Sequence, residues 1–324
     1  MAMRRSVAGP VSSPLVDPAA PSPGAVSLFP AMSKLSDRWL FWGPTLIWAS
    51  TWHIILYQLA SGVPVLNSVA WRFGIAAIIL VGLSRWQGLS LRLPLSAHGL
   101  MLATGIVQYS GNYYSVYEAE RHIPSGLVAV LFCLMVFGNA LSGRVFFGQR
   151  VSLRFLTASV GGVLGVVMIF WPEIASTGAR PTAAYGLLMG LAAVLAACIG
   201  NVLTLTLTRR GLALMPVLAW SMGYGAVFLV TMSLATGQGL QFSWQPSYVG
   251  SLLYLSVFGS VVAFVLYFKL AQRQGTARAA LTGVVIPVIA LVLSALLEGW
   301  QPSVLSVAGM GLCLGSIYVA TRTR

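Results

Sequence analysis

Arg72 is a cation set inside an apolar run, about eight residues from the start of that run. At 1.5 Å per helical residue it would sit about 12 Å beneath a surface. A charge at that depth in hydrocarbon costs a few kcal/mol unless it is paired or hydrated. Two uses fit: a structural Arg that caps carbonyls or pairs with Glu118, or a cavity cation that binds a substrate carboxylate or phosphate. Tyr109, Asn112, Tyr113 and Val116 recur at i, i+3, i+4 and i+7, a polar-aromatic helical stripe that either lines a cavity or glues helices. Trp48, Ser50, Thr51, Trp52 and His53 cluster in the first apolar run, and the two indoles, one turn apart, suit the wall of a site for an organic molecule. His53 can titrate near neutral pH or bridge helices as a neutral ring. Asn139 and Asn201 are amides inside apolar runs, each able to bind substrate or join helices. Tyr267 is a further candidate for the wall, with Trp220, Tyr254 and Phe264 as weaker ones. Glu118, Glu120, Arg121 and Glu298 close apolar runs; Glu118 and Glu298 are the candidates for coupling or gating, against plain helix capping.

Several chemistries are missing their residues. The only aspartates are Asp17 and Asp37, ahead of the first apolar run. No His-Glu-x-x-His, Gly-x-Ser-x-Gly or Walker sequence occurs, so neither a metalloprotease, a hydrolase nor direct use of ATP is expected. Cys133, Cys198 and Cys313 are scattered in apolar runs without metal-type spacing and read as buried thiols. No catalytic residue, cofactor or metal is expected. The formal charge of +13 does not point to nucleic acid, because the basic residues stand singly or in pairs with no basic stripe. A channel would show a filter sequence or rings of charge, and neither is present.

The elements that must position these side chains follow from composition. Hydrophobic residues make up 57% of the chain and charged residues 8%, against about 25% charged in soluble domains. Apolar segments occupy about 39–60, 64–84, 97–117, 125–146, 155–172, 184–206, 213–236, 247–269, 280–298 and 302–321. About 20 apolar residues make one helical span, and continuous runs exclude the short alternating segments of a barrel. The expected fold is an all-α polytopic membrane protein of ten transmembrane helices. The gaps alternate in charge. Arg85 and Arg92, Arg144, Arg150 and Arg154, Arg209 and Arg210, and Lys269, Arg273 and Arg278 fall on one side with both termini; the other side holds Glu118, Glu120, Glu173 and Glu298 with only Arg121 and Arg180. The positive-inside rule then puts both termini in the cytoplasm, in the inner membrane of a bacterium. Residues 1–38, rich in Pro, Ala and Ser, read as a disordered tail, and Met32 is a plausible alternative start.

The halves repeat. Trp71 matches Trp220, the aromatic cluster Tyr113–Tyr117 matches Phe264–Phe268, and Gly161-x-x-x-Gly165 matches Gly311-x-x-x-Gly315, each about 150 residues apart. Five spans per copy, 39–172 and 184–321, force the second copy to enter the membrane from the opposite side. Inverted repeats surround midplane sites in secondary transporters. The Gly pairs predict close helix packing or a homodimer contact.

Leu46-Ile-Trp-Ala-Ser-Thr51, Ala70-Trp-Arg-Phe73, Ile123-Pro-Ser-Gly-Leu-Val-Ala-Val130, Phe147-Gly-Gln-Arg-Val-Ser-Leu153 and Thr276-Ala-Arg-Ala-Ala-Leu281, with Pro287 and Glu298, together resemble the drug/metabolite transporter superfamily, in particular its ten-span EamA-type permeases. The chain departs from that pattern at Gln149, where Glu is common, and at Gly138, in a region where Pro is common. The resemblance implies export or exchange of small metabolites, often amino acids. The expected partners are a small-molecule substrate and membrane lipids. The expectation is a secondary carrier with export favoured; import or exchange of a vitamin or nucleobase, and a channel or non-transport subunit, are the alternatives.

Overall fold

The computed structural model describes residues 35–147, 152–176, 181–274 and 282–321. The amino-terminal tail, Gln149, Arg150, Arg180, Arg278 and the stretch 276–281 lie outside the described residues. Every regular element among the described residues is helical. In chain order they are α1 (Asp37–Leu59), α2 (Val65–Trp86), α3 (Leu95–Thr104), α4 (Tyr113–Glu120), α5 (Ser125–Leu131), α6 (Met135–Phe147), α7 (Leu153–Ser176), α8 (Pro181–Arg209), α9 (Leu214–Ala235), α10 (Pro246–Tyr254), α11 (Ala263–Gln274), α12 (Thr282–Leu297) and α13 (Val304–Thr321). Two π-helical segments, Gly105–Asn112 and Leu255–Val262, join α3 to α4 and α10 to α11; a 3₁₀ turn, Phe132–Leu134, joins α5 to α6. Four helical stretches are long and apolar enough to cross a membrane by length and composition, and four shorter apolar helices accompany them.

Tight turns separate the helices. Gly62, Gly88, Gly211, Gly237 and Gly299 adopt positive φ just past helix ends, where a left-handed residue stops a helix and glycine alone carries no Cβ penalty. Pro64, Pro94 and Pro124 stand immediately before the next helix begins; proline cannot supply an amide to a preceding turn but fits a helix start.

Two long antiparallel pairs organise the packing. α2 and α9 touch through Asn67 to Ser233, Gly74 to Ala226 and Ala77 to Gly223, an order that reverses along the second helix. α7 and α13 are joined where Gly165 and Gly309 meet: a Cβ on Gly165 would come within 2.7 Å of both the Cys313 amide and the Gly309 carbonyl. The expected glycine pairing is therefore half right. Gly161 and Gly165 do face α13, but Gly311 and Gly315 point into open space, and the partner surface is built from Gly309, Cys313 and Ser316. The matched tryptophans behave alike. The Trp71 indole donates to the Gln241 carbonyl and the Trp220 indole to the Leu91 carbonyl, both at 2.9 Å, so each half clasps a turn of the other.

The π segments correspond as well. Ser110 donates to Gly105 five residues back, at 3.1 Å, and Ser260 donates to Leu255 at 2.9 Å. The i→i+5 winding rotates the side chains that follow it relative to an α-helix, and such segments concentrate at functional sites.

Candidate functional site

A cavity of about 180 Å³ lies between α1, α2, the two π-containing spans, α5–α6, α8 and α12. Trp48, Trp52, Arg72, Asn112, Tyr113, Asn139, Asn201 and Tyr267 all line it. Five other wall candidates do not: the weaker candidates Trp220 and Tyr254, and Tyr109, Ser50 and His53. Tyr109 is 1% exposed and packs against Phe73 and Phe264. Ser50 turns to the Tyr254 hydroxyl, 2.7 Å away. His53 belongs to a separate cleft near the ends of α4 and α12. The π winding explains Tyr109: Gln108 and Tyr113, five residues apart, share the cavity face, and Tyr109 rotates into the core. Gln108, Phe132, Met135, Ile286 and Pro287 complete the wall. Gln108 was detectable in principle, as a further amide inside an apolar run four residues before Asn112.

Arg72 dominates the electrostatics. It is 1% exposed. Its Nε donates to Ser260 Oγ at 3.0 Å and its Nη1 to the Tyr117 hydroxyl at 3.5 Å. The guanidinium lies 4.6 Å from the centre of the Tyr113 ring and 5.4 Å from that of Phe73, within cation–π range. Ser260 can hold it because its own hydroxyl proton is spent on Leu255 across the π turn, leaving a lone pair for Nε. No carboxylate among the described residues forms an ion pair with Arg72. The expected Glu118 partner is corrected here: Glu118 pairs with Arg121 at 3.1 Å. With Trp71 matched to Trp220, Arg72 falls opposite Ser221 in the second half, so the cation breaks the internal symmetry.

The cavity also holds unsatisfied polar atoms. Trp52 Nε1, Gln108 Oε1 and Asn112 Oδ1 are buried without a hydrogen-bond partner. Asn139 Oδ1 accepts from Asn201 Nδ2 at 3.3 Å, bridging α6 and α8. Buried polar groups in native proteins are nearly always paired. A guanidinium, an indole N–H and two amide oxygens around one aromatic-walled space can offer donors to an anionic group and acceptors to hydrogen-bond donors. Trp48 is locked to the π segment through its indole bond to the Gly259 carbonyl at 3.1 Å and packs edge-on against Phe264 and tilted against Tyr267.

Beyond the cavity, Glu298 ties three helices. One oxygen accepts from the Ser125 amide and from Ser294 Oγ, each at 3.1 Å; the other meets Ser125 Oγ and, at 3.2 Å, His53 Nδ1. α1, α5 and α12 are thus drawn together at one end. The contact is close because residue 126 has no side chain: a Cβ there would fall 2.8 Å from Ser294 Cβ and 3.1 Å from Leu291 Cα. Outside this knot a cleft of about 740 Å³ opens, lined by His53, Glu120, Arg121, His122 and Glu298. No group of three or more His, Cys, Asp or Glu side chains that could hold a metal occurs among the described residues.

The EamA-like transporter family pattern matches residues 39–171 and again 184–322. The chain belongs to this family. Several relatives are named as transporters or exporters, and it is an integral membrane transport protein rather than an enzyme. It is 26% identical to the probable terminal-alkyne amino-acid exporter of Streptantibioticus cattleyicolor, over 80% of this chain and 92% of that protein. It is 24% identical to the probable amino-acid metabolite efflux pump of Salmonella typhimurium, over 68% of this chain and 75% of the pump. The uncharacterized inner membrane transporter YedA of Escherichia coli is 24% identical, over 85% and 87%. One solved crystal structure superimposes with a TM-score of 0.64 at 18% identity, covering 88% of this EamA-like chain and 96% of the other, a likeness of fold.

Proposed function

We propose that this transporter is a secondary carrier that exports a small carboxylate-bearing metabolite, an amino acid or close relative, through the bacterial inner membrane by alternating access. The observation that carries the reading is Arg72: a fully buried guanidinium on the wall of an aromatic cavity, with no ion-paired carboxylate among the described residues. A buried charge is costly until something neutralises it, and a carboxylate is the natural guest for its fork of donors. The unsatisfied oxygens of Gln108 and Asn112 suit a substrate ammonium, and Trp48, Trp52 and Tyr267 suit an apolar side chain.

Two five-helix repeats, 39–172 and 184–321, enclose the site in opposite orientations. The reversed contacts of α2 on α9, the equivalent helices of the two halves, support that inversion. Both termini face the cytoplasm, so the Glu298 knot is the outer gate, closed in this state. The exporter names among the relatives favour outward transport, and the lack of a nucleotide-binding motif leaves exchange or an ion gradient as the driving force.

The test is counterflow in proteoliposomes. Unlabelled internal amino acids are expected to stimulate uptake of radiolabelled ones several-fold. A channel or a non-transport subunit gives no trans-stimulation, and its absence across the full amino-acid set contradicts the proposal.

A further inference from the structure

Glu120 stands at the outer cleft and has no role in the gate or the cavity. It is 6% exposed and lines the cleft, yet neither carboxylate oxygen accepts a hydrogen bond. The neighbouring carboxylates are all occupied: Glu118 by Arg121, Glu298 by Ser125, Ser294 and His53. A bare buried carboxylate is among the costliest arrangements in a protein. A second carboxylate in its field, here Glu298, makes ionising Glu120 costlier still. Arg72 acts on Glu120 in the opposite sense, but its hydrogen bonds go to Ser260 and Tyr117.

The titratable and charged groups around Glu120 can be named by element: His53 from α1, Arg72 from α2, Tyr117 on its own helix, Glu298 just past α12, and Arg121 and His122 in the following turn. No residue of α5 is titratable. None of these supplies a hydrogen bond to Glu120.

We infer that Glu120 is a proton-binding site, loaded in this outward-closed state, whose proton leaves Arg72 free to bind substrate. The inference rests on the carrier reading above for its coupling, and on geometry alone for the proton. Tyr117 is the link: it lies one turn from Glu120 on α4 and touches Arg72. While the Glu120 O–H bond is intact, Arg72 is free to take a substrate carboxylate. When that bond breaks and the proton leaves to water, the Glu120 carboxylate competes for Arg72, and substrate is released. Proton and carboxylate substrate are therefore bound together and lost together.

The test begins with infrared difference spectroscopy of the full chain in lipid nanodiscs, without substrate. The carbonyl band of a protonated carboxyl group is expected at neutral pH, to vanish on alkaline titration, to be missing from Glu120→Gln and to be retained by Glu118→Gln. A wild-type spectrum without that band, or a band that survives Glu120→Gln, overturns the proton site. Should Glu120→Gln fail to fold, Glu120→Asp is read instead, in which the band is expected to shift in frequency, and an unshifted band overturns the site. Melting temperature in sodium chloride against choline chloride at fixed pH is expected to be equal; a sodium-dependent rise lost in Glu120→Gln overturns the proton in favour of sodium. In proteoliposomes, the apparent affinity of counterflow for radiolabelled amino acids is expected to fall several-fold on alkaline titration in the wild type and to be independent of pH in Glu120→Gln, and an unchanged pH dependence in that variant overturns the coupling. Failure of counterflow in the wild type sinks the carrier reading, while the infrared band still decides whether Glu120 holds a proton.

Discussion

Arg72 is held by geometry that a point charge cannot reproduce. Its Nε and Nη1 reach different partners, Ser260 and Tyr117, while the guanidinium plane lies by Tyr113. Arg72→Lys keeps the charge but loses the fork and the stacking. We expect substrate affinity to fall about tenfold or more in that variant, the size of a lost charged hydrogen bond of about 1.5–3 kcal/mol. Isothermal titration with a ligand found by thermal-shift screening checks it, and wild-type affinity in Arg72→Lys would mean that charge alone suffices. At this scale the sequence was informative where a polar side chain interrupts an apolar run: Arg72, Asn112, Asn139 and Asn201 all reach the cavity. It was uninformative where two like residues lie close together. Nothing in the local sequence separates Glu118, paired with its neighbour Arg121, from Glu120, two residues on and without a partner. The rotation of about 200° that two helical residues impose only says that they differ.

Among the elements, the spans are legible from apolar runs, but their winding is not. An α-helical period puts Tyr109 on the same face as Asn112. The π segment at Gly105–Asn112 breaks that period and substitutes Gln108. Hydrogen bonds of the i→i+5 type leave no composition signature, so the error is built into any periodic reading. Glycine spacing misleads in a related way. Gly311 and Gly315 have the expected separation but the wrong rotation about α13, whereas Gly309 lies against Gly165. Gly165→Leu would drive a side chain into the Cys313 backbone. We expect it to cost at least about 1–3 kcal/mol, as overpacking does, and to lower the melting temperature in detergent. Gly311→Leu meets nothing and is expected to stay within about 0.5 kcal/mol of wild type. Equal losses in both variants would show that α13 uses a different face.

Over the whole molecule, the alternation of charge, the even number of apolar runs and the repeated Trp, Gly and aromatic positions together pointed to a carrier built of two related halves. The structure adds where the halves differ. Among the described residues Arg72 and the Glu298 knot occur in one copy each, so the cavity and the proposed outer gate are chemically asymmetric on a near-symmetric frame. The proposed gate brings α5 against α12 at Gly126 and Ser294. Gly126→Cys with Ser294→Cys, in a chain whose native cysteines are replaced by alanine, is expected to form a disulfide on oxidation and abolish counterflow, with recovery on reduction. The Cβ positions must part by only about 1 Å to reach disulfide geometry. Undiminished exchange in the oxidised protein would remove α5 and α12 from the moving gate.

The central claim is that a carrier cavity recognises a carboxylate through Arg72. It is tested most directly by counterflow with paired trans-ligands, an amino acid and the amine left after its decarboxylation, in wild type and Arg72→Gln. The account predicts stimulation by the amino acid far above that by the amine in the wild type, and loss of that preference in Arg72→Gln. Equal stimulation by both ligands in the wild type, or a preference that survives Arg72→Gln, would contradict it.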